Sequence, residues 1–302
     1  MSTTDGRPEG SPEGPEATAR TPSVVAVSSQ APAPRRRRTW RFKLVLGAVA
    51  LLLGFGLYEY VTLPKAASLE KENPKSTALM DHRAEEARAE GKKVRRRQHW
   101  VPLASVPKHA VDSVLISEDA SFYLHEGVDT TEMRKALGEA WAKGQLGRGA
   151  STITQQLAKN LWLSTDRSLF RKAKELVLAR RLEDALSKKR ILTLYLNVVE
   201  WGNGVYGIDA GAREHFGVSA SQVSVAQGAI LAAMLPAPRK RGPSSGSRAL
   251  WRRAHWIVDR MESVGRISEA QATDARGDID RLLGRTPAGK SDDGDEGADD
   301  DA

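Results

Sequence analysis

The apolar positions of this chain form one long run followed by a series of helical stripes. The run extends from Leu44 to Tyr58 and, past Glu59, to Leu63. About 20 residues of helix span roughly 30 Å, the hydrocarbon thickness of a bilayer. Downstream, Val111, Val114 and Leu115 recur at helical spacing within residues 106–117. Ile153, Leu157 and Leu161 share a face within 152–162, which opens on Thr152 and Gln155 at capping-box spacing. Leu178, Leu182 and Leu186 line 169–187, and Ile191, Leu194, Tyr195 and Val198 line 189–201. Helices over 207–216, 225–235 and 248–264 complete the set, and Gly202-Asn203-Gly204 reads as a turn. No stretch alternates as a strand would. The pattern predicts an all-α fold preceded by one transmembrane helix.

Composition divides the chain further. Residues 1–41 are rich in Pro, Ser, Ala, Gly and Thr and end in a cluster of arginines, which predicts a disordered basic tail. Residues 42–63 are the anchor. Positive charge in front of it predicts a cytoplasmic N-terminus and everything after Leu63 outside. A cleaved signal peptide is the rival. The leader is long for that, and Ala66-Ala67-Ser68 is a poor cleavage site, so an uncleaved anchor is favoured. Residues 64–99 read as a charged linker with a short helix near 77–91, residues 100–285 as the globular domain, and 286–302 as a disordered acidic tail.

The 302 residues carry a net charge of +8. Without residues 290–302, which hold one lysine and seven acids, 45 basic residues stand against 31 acidic ones. So basic a body suits a phosphate-bearing partner, either a nucleic acid or an anionic membrane surface. The absence of cysteine excludes disulfides, thiolate nucleophiles and cysteine-held metals.

Two segments offer chemistry. Glu118 follows the apolar Val114-Leu115-Ile116, and a carboxylate at the end of an apolar helix can be desolvated into a usable general base or acid. A solvated helix-end acid is the commoner fate of a single Glu, but the string Glu-Asp-x-x-Phe-x-x-His-x-Gly over 118–127 is far more specific. Gly147-Arg148-Gly149 leads into Ser151, Gln155, Gln156 and Lys159 at a helix start, where free amides and positive partial charge favour anions. Capping accounts for Thr152 and Gln155, but not for both glutamines and the lysine together. Arg171, Lys172 and Glu175 lie within one turn. A surface ion pair would explain them, whereas two carboxylates from different helices are the usual equipment of glycosyl transfer. Lys188-Lys189-Arg190, 239–241 and Arg252-Arg253 read as solvent or membrane-surface contacts.

Residues 118–127, 149–160, 171–175 and 189–197, with Gly204-Val205-Tyr206-Gly207-Ile208 and Leu235-Pro236-Ala237-Pro238, resemble the family 51 glycosyltransferases in the family's order. The likeness covers roughly 100–260. With no Ser-x-x-Lys string leading a further large domain, the chain resembles the monofunctional type. The resemblance implies a lysozyme-like helical lobe and a smaller mobile, membrane-proximal lobe near 130–149. It implies polymerisation of lipid II into glycan strands for cell-wall biogenesis, by inverting transfer with release of lipid pyrophosphate. It makes Glu118 the general base. Glu175 orients groups or binds the pyrophosphate region with a metal. Lys159, Arg171 and Lys172 offset pyrophosphate charge, and Asp119, Phe122, His125, Arg148, Ser151, Gln155 and Gln156 line the groove. A Mg2+ or Mn2+ ion bridging the pyrophosphate is the implied cofactor, with no protein metal ligands assigned. The partners are lipid II, the nascent strand, the bilayer and other cell-wall synthesis proteins, and not nucleic acid. The enzyme would sit in the cytoplasmic membrane with its catalytic domain on the outer face. A lysozyme-like hydrolase, a nucleic-acid-binding protein and a non-catalytic wall scaffold are the competing classes.

Overall fold

The computed structural model describes residues 37–143, 151–166 and 168–284. The expectations for residues 1–36 and 286–302 and for Arg148 lie outside the described residues, whereas residues 37–41, expected in the disordered basic tail, are helical. In chain order the helices are α1 (Arg37–Thr62), α2 (Ala78–Ala89), α3 (Lys108–Glu118), α4 (Thr130–Lys143), α5 (Ile153–Trp162), α6 (Leu169–Ala185) and α7 (Lys188–Val198). They continue with α8 (Ile208–Phe216), α9 (Val225–Met234), α10 (Arg248–Ser263) and α11 (Glu269–Leu282). Three short strands are β1 (Arg97–Gln98), β2 (Glu200–Gly202) and β3 (Val205–Tyr206).

The chain forms two compact units, Met1–Val61 and Thr62–Ala302. In the first, α1 exposes Leu44, Leu51, Leu52, Phe55 and Leu57. The stretch Trp40–Glu70 is long and apolar enough to cross a membrane, by length and composition.

In the second unit α9 is apolar all round and buried along most of its length, as a helix inside a core must be. α3, α10 and α11 pack on it. α3 comes so near that a Cβ on Gly228 would meet Ala110 Cα at 3.1 Å. α5, α6 and α7 form a second group that also receives α2. β2 ties the groups together: Trp201 is fully buried and its Nε1 donates to Leu231 O of α9 at 3.0 Å.

Three differences from the sequence expectation have physical causes. First, a small sheet of order β1-β3-β2 exists, with β1 parallel and β2 antiparallel to β3. β2 and β3 are buried at every position, so they carry no alternation to detect. The helix expected over 189–201 accordingly ends at Val198, where Val199 turns extended. The turn is Asn203-Gly204, and Gly204 (φ +69°) lies against the Arg95 carbonyl where a side chain would not fit. Second, α11 escaped notice because it buries mainly alanines, Ala272 and Ala275, with Ile279. Its Ser268/Gln271 capping box was the available signal. Third, residues 64–99 pack on the body: Ala66, Leu69, Thr77 and Met80 are buried. Arg190, expected at solvent, donates through Nε to Leu69 O at 2.6 Å and through Nη2 to Glu72 O at 2.9 Å.

The seam between α2 and the sheet holds a buried acid. Glu200 is 4% exposed, and its Oε2 accepts from Arg83 Nε at 3.2 Å while Oε1 is buried without a partner. Burial pushes its pKa up, and Arg83 and Arg239 only partly oppose this. A raised carboxyl pKa means that the folded state keeps a proton which the unfolded chain releases in the ordinary Glu range. The stability it supplies is complete below that range and declines as pH rises through the folded pKa. We therefore expect wild type to lose thermal stability relative to Glu200→Gln as pH rises above the ordinary carboxyl range, then to level off. Melting curves of both proteins across pH check this; a constant difference contradicts it.

Candidate functional site

The site is built where α3 ends and α5 begins. The apolar stripe of α3 is anchored in the core by Ala110, Val114 and Leu115, which fixes the direction in which its last residue, Glu118, leaves. Asp119 is buried, and its Oδ2 accepts from the backbone N of Ile153, the first residue of α5, at 2.9 Å. Thr152 Oγ1 accepts from Gln155 N at 3.2 Å and donates to Gly127 O at 2.7 Å. Two first-turn amides of α5 are thus satisfied within the protein. This corrects the expectation of an open anion site there: the Ile153 and Gln155 amides are already taken. The capping box is only half formed as well, because the Gln155 side chain turns elsewhere.

With α5 fastened in this way, Gln156 reaches the Glu118 carboxylate and Gln155 reaches Lys172, the partner of Glu175. Gln156 Nε2 donates to Glu118 Oε2 at 2.9 Å, and Gln156 Oε1 accepts from Tyr195 OH of α7 at 3.0 Å. Burial first, then the negative Glu118 and Asp119, drive the Tyr195 pKa well up, so the phenol stays a donor. Gln155 is buried, and its Oε1 accepts from Lys172 Nζ of α6 at 3.2 Å. Lys172 also donates to Ser151 Oγ at 3.0 Å and pairs with Glu175 Oε1. Glu175 is 3% exposed, and its Oε2 accepts from Arg171 Nη1 at 2.8 Å. Arg171 Nε donates to Asp166 O.

Lys159 lies one turn beyond the glutamines, and its ammonium makes no hydrogen bond or ion pair with the described residues. Desolvation by its surroundings lowers its pKa, Arg171 and Lys172 add to this, and Glu175 and Glu118 oppose it. The residue is nonetheless exposed by surface area.

The structure therefore gathers these residues in two hydrogen-bonded sets on α5, Glu118 with Gln156 and Tyr195 in one, and Ser151, Gln155, Arg171, Lys172 and Glu175 in the other. It places Asp119, Phe122 and His125 behind them. Phe122 is 1% exposed within the core, with Lys188 Nζ 4.5 Å from its ring centre. His125 Nε2 lies 2.9 Å from Asp119 Oδ1. These three are placed to hold the loop after α3, not to face a groove.

Sequence reasoning missed Arg253. On α10 its Nη2 donates to Ser117 O and Ser117 Oγ, each at 3.0 Å, and reaches Glu118 Oε1 at 3.3 Å. The signal was present: position 253 falls between Leu250 and Ala254 and four before Ile257, inside the apolar stripe of α10 and not on its wet face.

Residues 85–262 match the family model described as Transglycosylase. The chain is 38% identical over 227 residues to the biosynthetic peptidoglycan transglycosylase of Nitrosospira multiformis, covering 75% of this chain and 97% of that one. It is 43% identical over 209 residues to the protein of that name from Azoarcus sp., covering 69% and 89%. To the one from Thiobacillus denitrificans it is 41% identical over 230 residues, covering 76% and 98%.

Proposed function

This chain belongs to the transglycosylase family, and from that premise we propose that it polymerises lipid II into peptidoglycan glycan strands, with Glu118 as general base. The observation that carries the reading is the pairing of two unequal carboxylates across α5. Glu118 Oε2 has one side-chain donor and stays open to another, whereas both oxygens of Glu175 are held by cations. Environments that differ so much assign different roles.

In the proposed reaction the acceptor's sugar hydroxyl gives its proton to Glu118 while its oxygen attacks the anomeric carbon of the growing chain. The bond from that carbon to the pyrophosphate breaks with inversion, and its electron pair leaves on the lipid pyrophosphate. Glu118 and Glu175 face Lys159, Arg171, Lys172 and Arg253, two carboxylates against four cations. That surplus favours a transition state in which negative charge moves onto the leaving group. Glu175 acts by holding Arg171 and Lys172 in place, and Ser151, Gln155 and Gln156 hold the groups that line the cleft.

The Mg2+ or Mn2+ that the resemblance implies would be held by the substrate's pyrophosphate and not by a protein cage. No group of three His, Cys, Asp or Glu side chains able to hold a metal gathers among the described residues. Glu175 has both oxygens engaged by Arg171 and Lys172.

Three measurements bear on this reading. Glu118→Gln keeps the hydrogen-bonding shape but not the basic oxygen, so lipid II polymerisation is expected to fall about a hundredfold or more with helical circular dichroism unchanged. Glu175→Gln should also lose activity, with greater damage to substrate binding. Near wild-type rate in Glu118→Gln with a dead Glu175→Gln would exchange the roles, and activity in both would reopen the hydrolase and scaffold classes. Lys159→Ala, which removes an exposed cation and leaves the Ile153, Leu157 and Leu161 face intact, should lower kcat by about a hundredfold; unchanged kinetics would remove it from the mechanism. For orientation, a reporter fused after Ala302 that works only outside the cytoplasm should be active, and cytoplasmic activity there would reverse the topology.

A further inference from the structure

We propose that Arg253 is a positioning residue for the general base: with Ser117 it occupies Glu118 Oε1, and this leaves Oε2 as the oxygen that takes the acceptor's proton. The inference rests on the reading of Glu118 as base and adds to it which oxygen acts and what selects it.

The geometry counts donors against lone pairs. A carboxylate oxygen accepts about two hydrogen bonds in good directions. Oε1 has two donors, Arg253 Nη2 at 3.3 Å and Ser117 Oγ at 3.1 Å. Oε2 has one, Gln156 Nε2 at 2.9 Å, itself oriented by the Tyr195 hydroxyl. The free direction of the carboxylate is therefore on Oε2, next to an amide locked in a single orientation by what it must accept and donate. Ser117 has one hydroxyl hydrogen for two acceptors, Glu118 Oε1 and Ala232 O at 3.3 Å. Arg253 Nη2 likewise has two hydrogens for three acceptors, Ser117 O, Ser117 Oγ and Glu118 Oε1, so Arg253 and Ser117 hold the Oε1 side together.

Arg253 is also held at an energetic disadvantage. Its Nε is buried without a partner, and a buried donor left unpaired costs free energy that an apolar residue in the same stripe of α10 would not. A residue needed only to fill the stripe between Leu250 and Ile257 would be apolar. A residue needed only to cap α3 would satisfy the Ser117 carbonyl and have no reason to reach the carboxylate of Glu118. The observed head does both.

Capping and positioning separate in a double-mutant cycle on lipid II polymerisation. The proteins are wild type, Arg253→Met, Glu118→Gln and the double variant, with kcat, KM and thermal midpoint measured for each. Arg253→Met is expected to lower kcat by about ten- to a hundredfold with KM little changed, a share of the full general-base contribution. In the Glu118→Gln background the same change should cost almost nothing, because the residue acts through an oxygen that is no longer a base. Arg253→Lys should recover part of kcat. A kcat within about twofold of wild type in Arg253→Met overturns the inference. So does a loss of equal size in both backgrounds, which is what a cap alone would give. Should Arg253→Met fail to fold, the cycle is run with Arg253→Lys, where a smaller loss confined to the Glu118 background is expected and an equal loss in both overturns the inference. If wild type itself does not polymerise lipid II, the parent reading fails, an outcome distinct from any behaviour of Arg253.

Discussion

One hydrogen bond sets the register of the catalytic cleft: Asp119 Oδ2 accepting from the first amide of α5. Asp119 is covalently next to Glu118, and Ile153 stands one turn before Gln156. Fixing the first pair therefore brings the second within reach, and Glu118 meets Gln156 at 2.9 Å. A helix start leaves several amides in need of acceptors, so a buried carboxylate there is favoured both by the bond and by the helix dipole. Slippage of α5 by one residue would turn Gln156 away by about 100° of helix, as 3.6 residues per turn requires. Gln155 would lose Lys172 in the same movement. The buried aspartate is what lets two glutamines on adjacent faces meet Glu118 and Lys172 on different helices.

The two carboxylates then differ by their neighbours alone. Glu175 is buried between Arg171 and Lys172, so removing either cation would leave charge with little solvent to compensate it. Glu118 is held by polar groups of three elements, α5, α10 and its own neighbour Ser117, and keeps one direction open. Identical side chains become a clamp and a base through what surrounds them.

The helices of the core were legible in the sequence because their apolar stripes are long and regular. α3, α5, α6, α7, α9 and α10 follow from periodicity and begin or end within a few residues of the expected bounds. What escaped were elements that leave no apolar period: two strands buried at every position, an alanine-faced α11, and the largely exposed α4 and β1. In the site, the motif strings gave the right neighbourhood but not the division of labour. A string cannot say that Phe122 turns into the core while Glu118, four residues earlier, turns to Gln156. Nor can it say that the amides of a helix start are already occupied. Arg253 was hidden for a related reason. An arginine beside another arginine reads as surface unless its place in the apolar stripe is weighed above its charge.

Donor arithmetic divides the cations as it divides the carboxylates. Lys172 has three ammonium hydrogens and three partners, Ser151, Gln155 and Glu175. To take a phosphate oxygen it would have to release one of them, and release of Glu175 would strand a buried carboxylate. Arg171 has five N–H donors, and two are accounted for by Glu175 and Asp166. It can meet a phosphate with the remainder while keeping its ion pair, and guanidinium geometry suits that divided duty. The Lys159 ammonium has no partner to release among the described residues. In the proposed reaction the leaving pyrophosphate would therefore be met by Arg171 and Lys159 directly. Lys172 would act one step back, as the strut between α5 and α6 that keeps Glu175 from drawing Arg171 away.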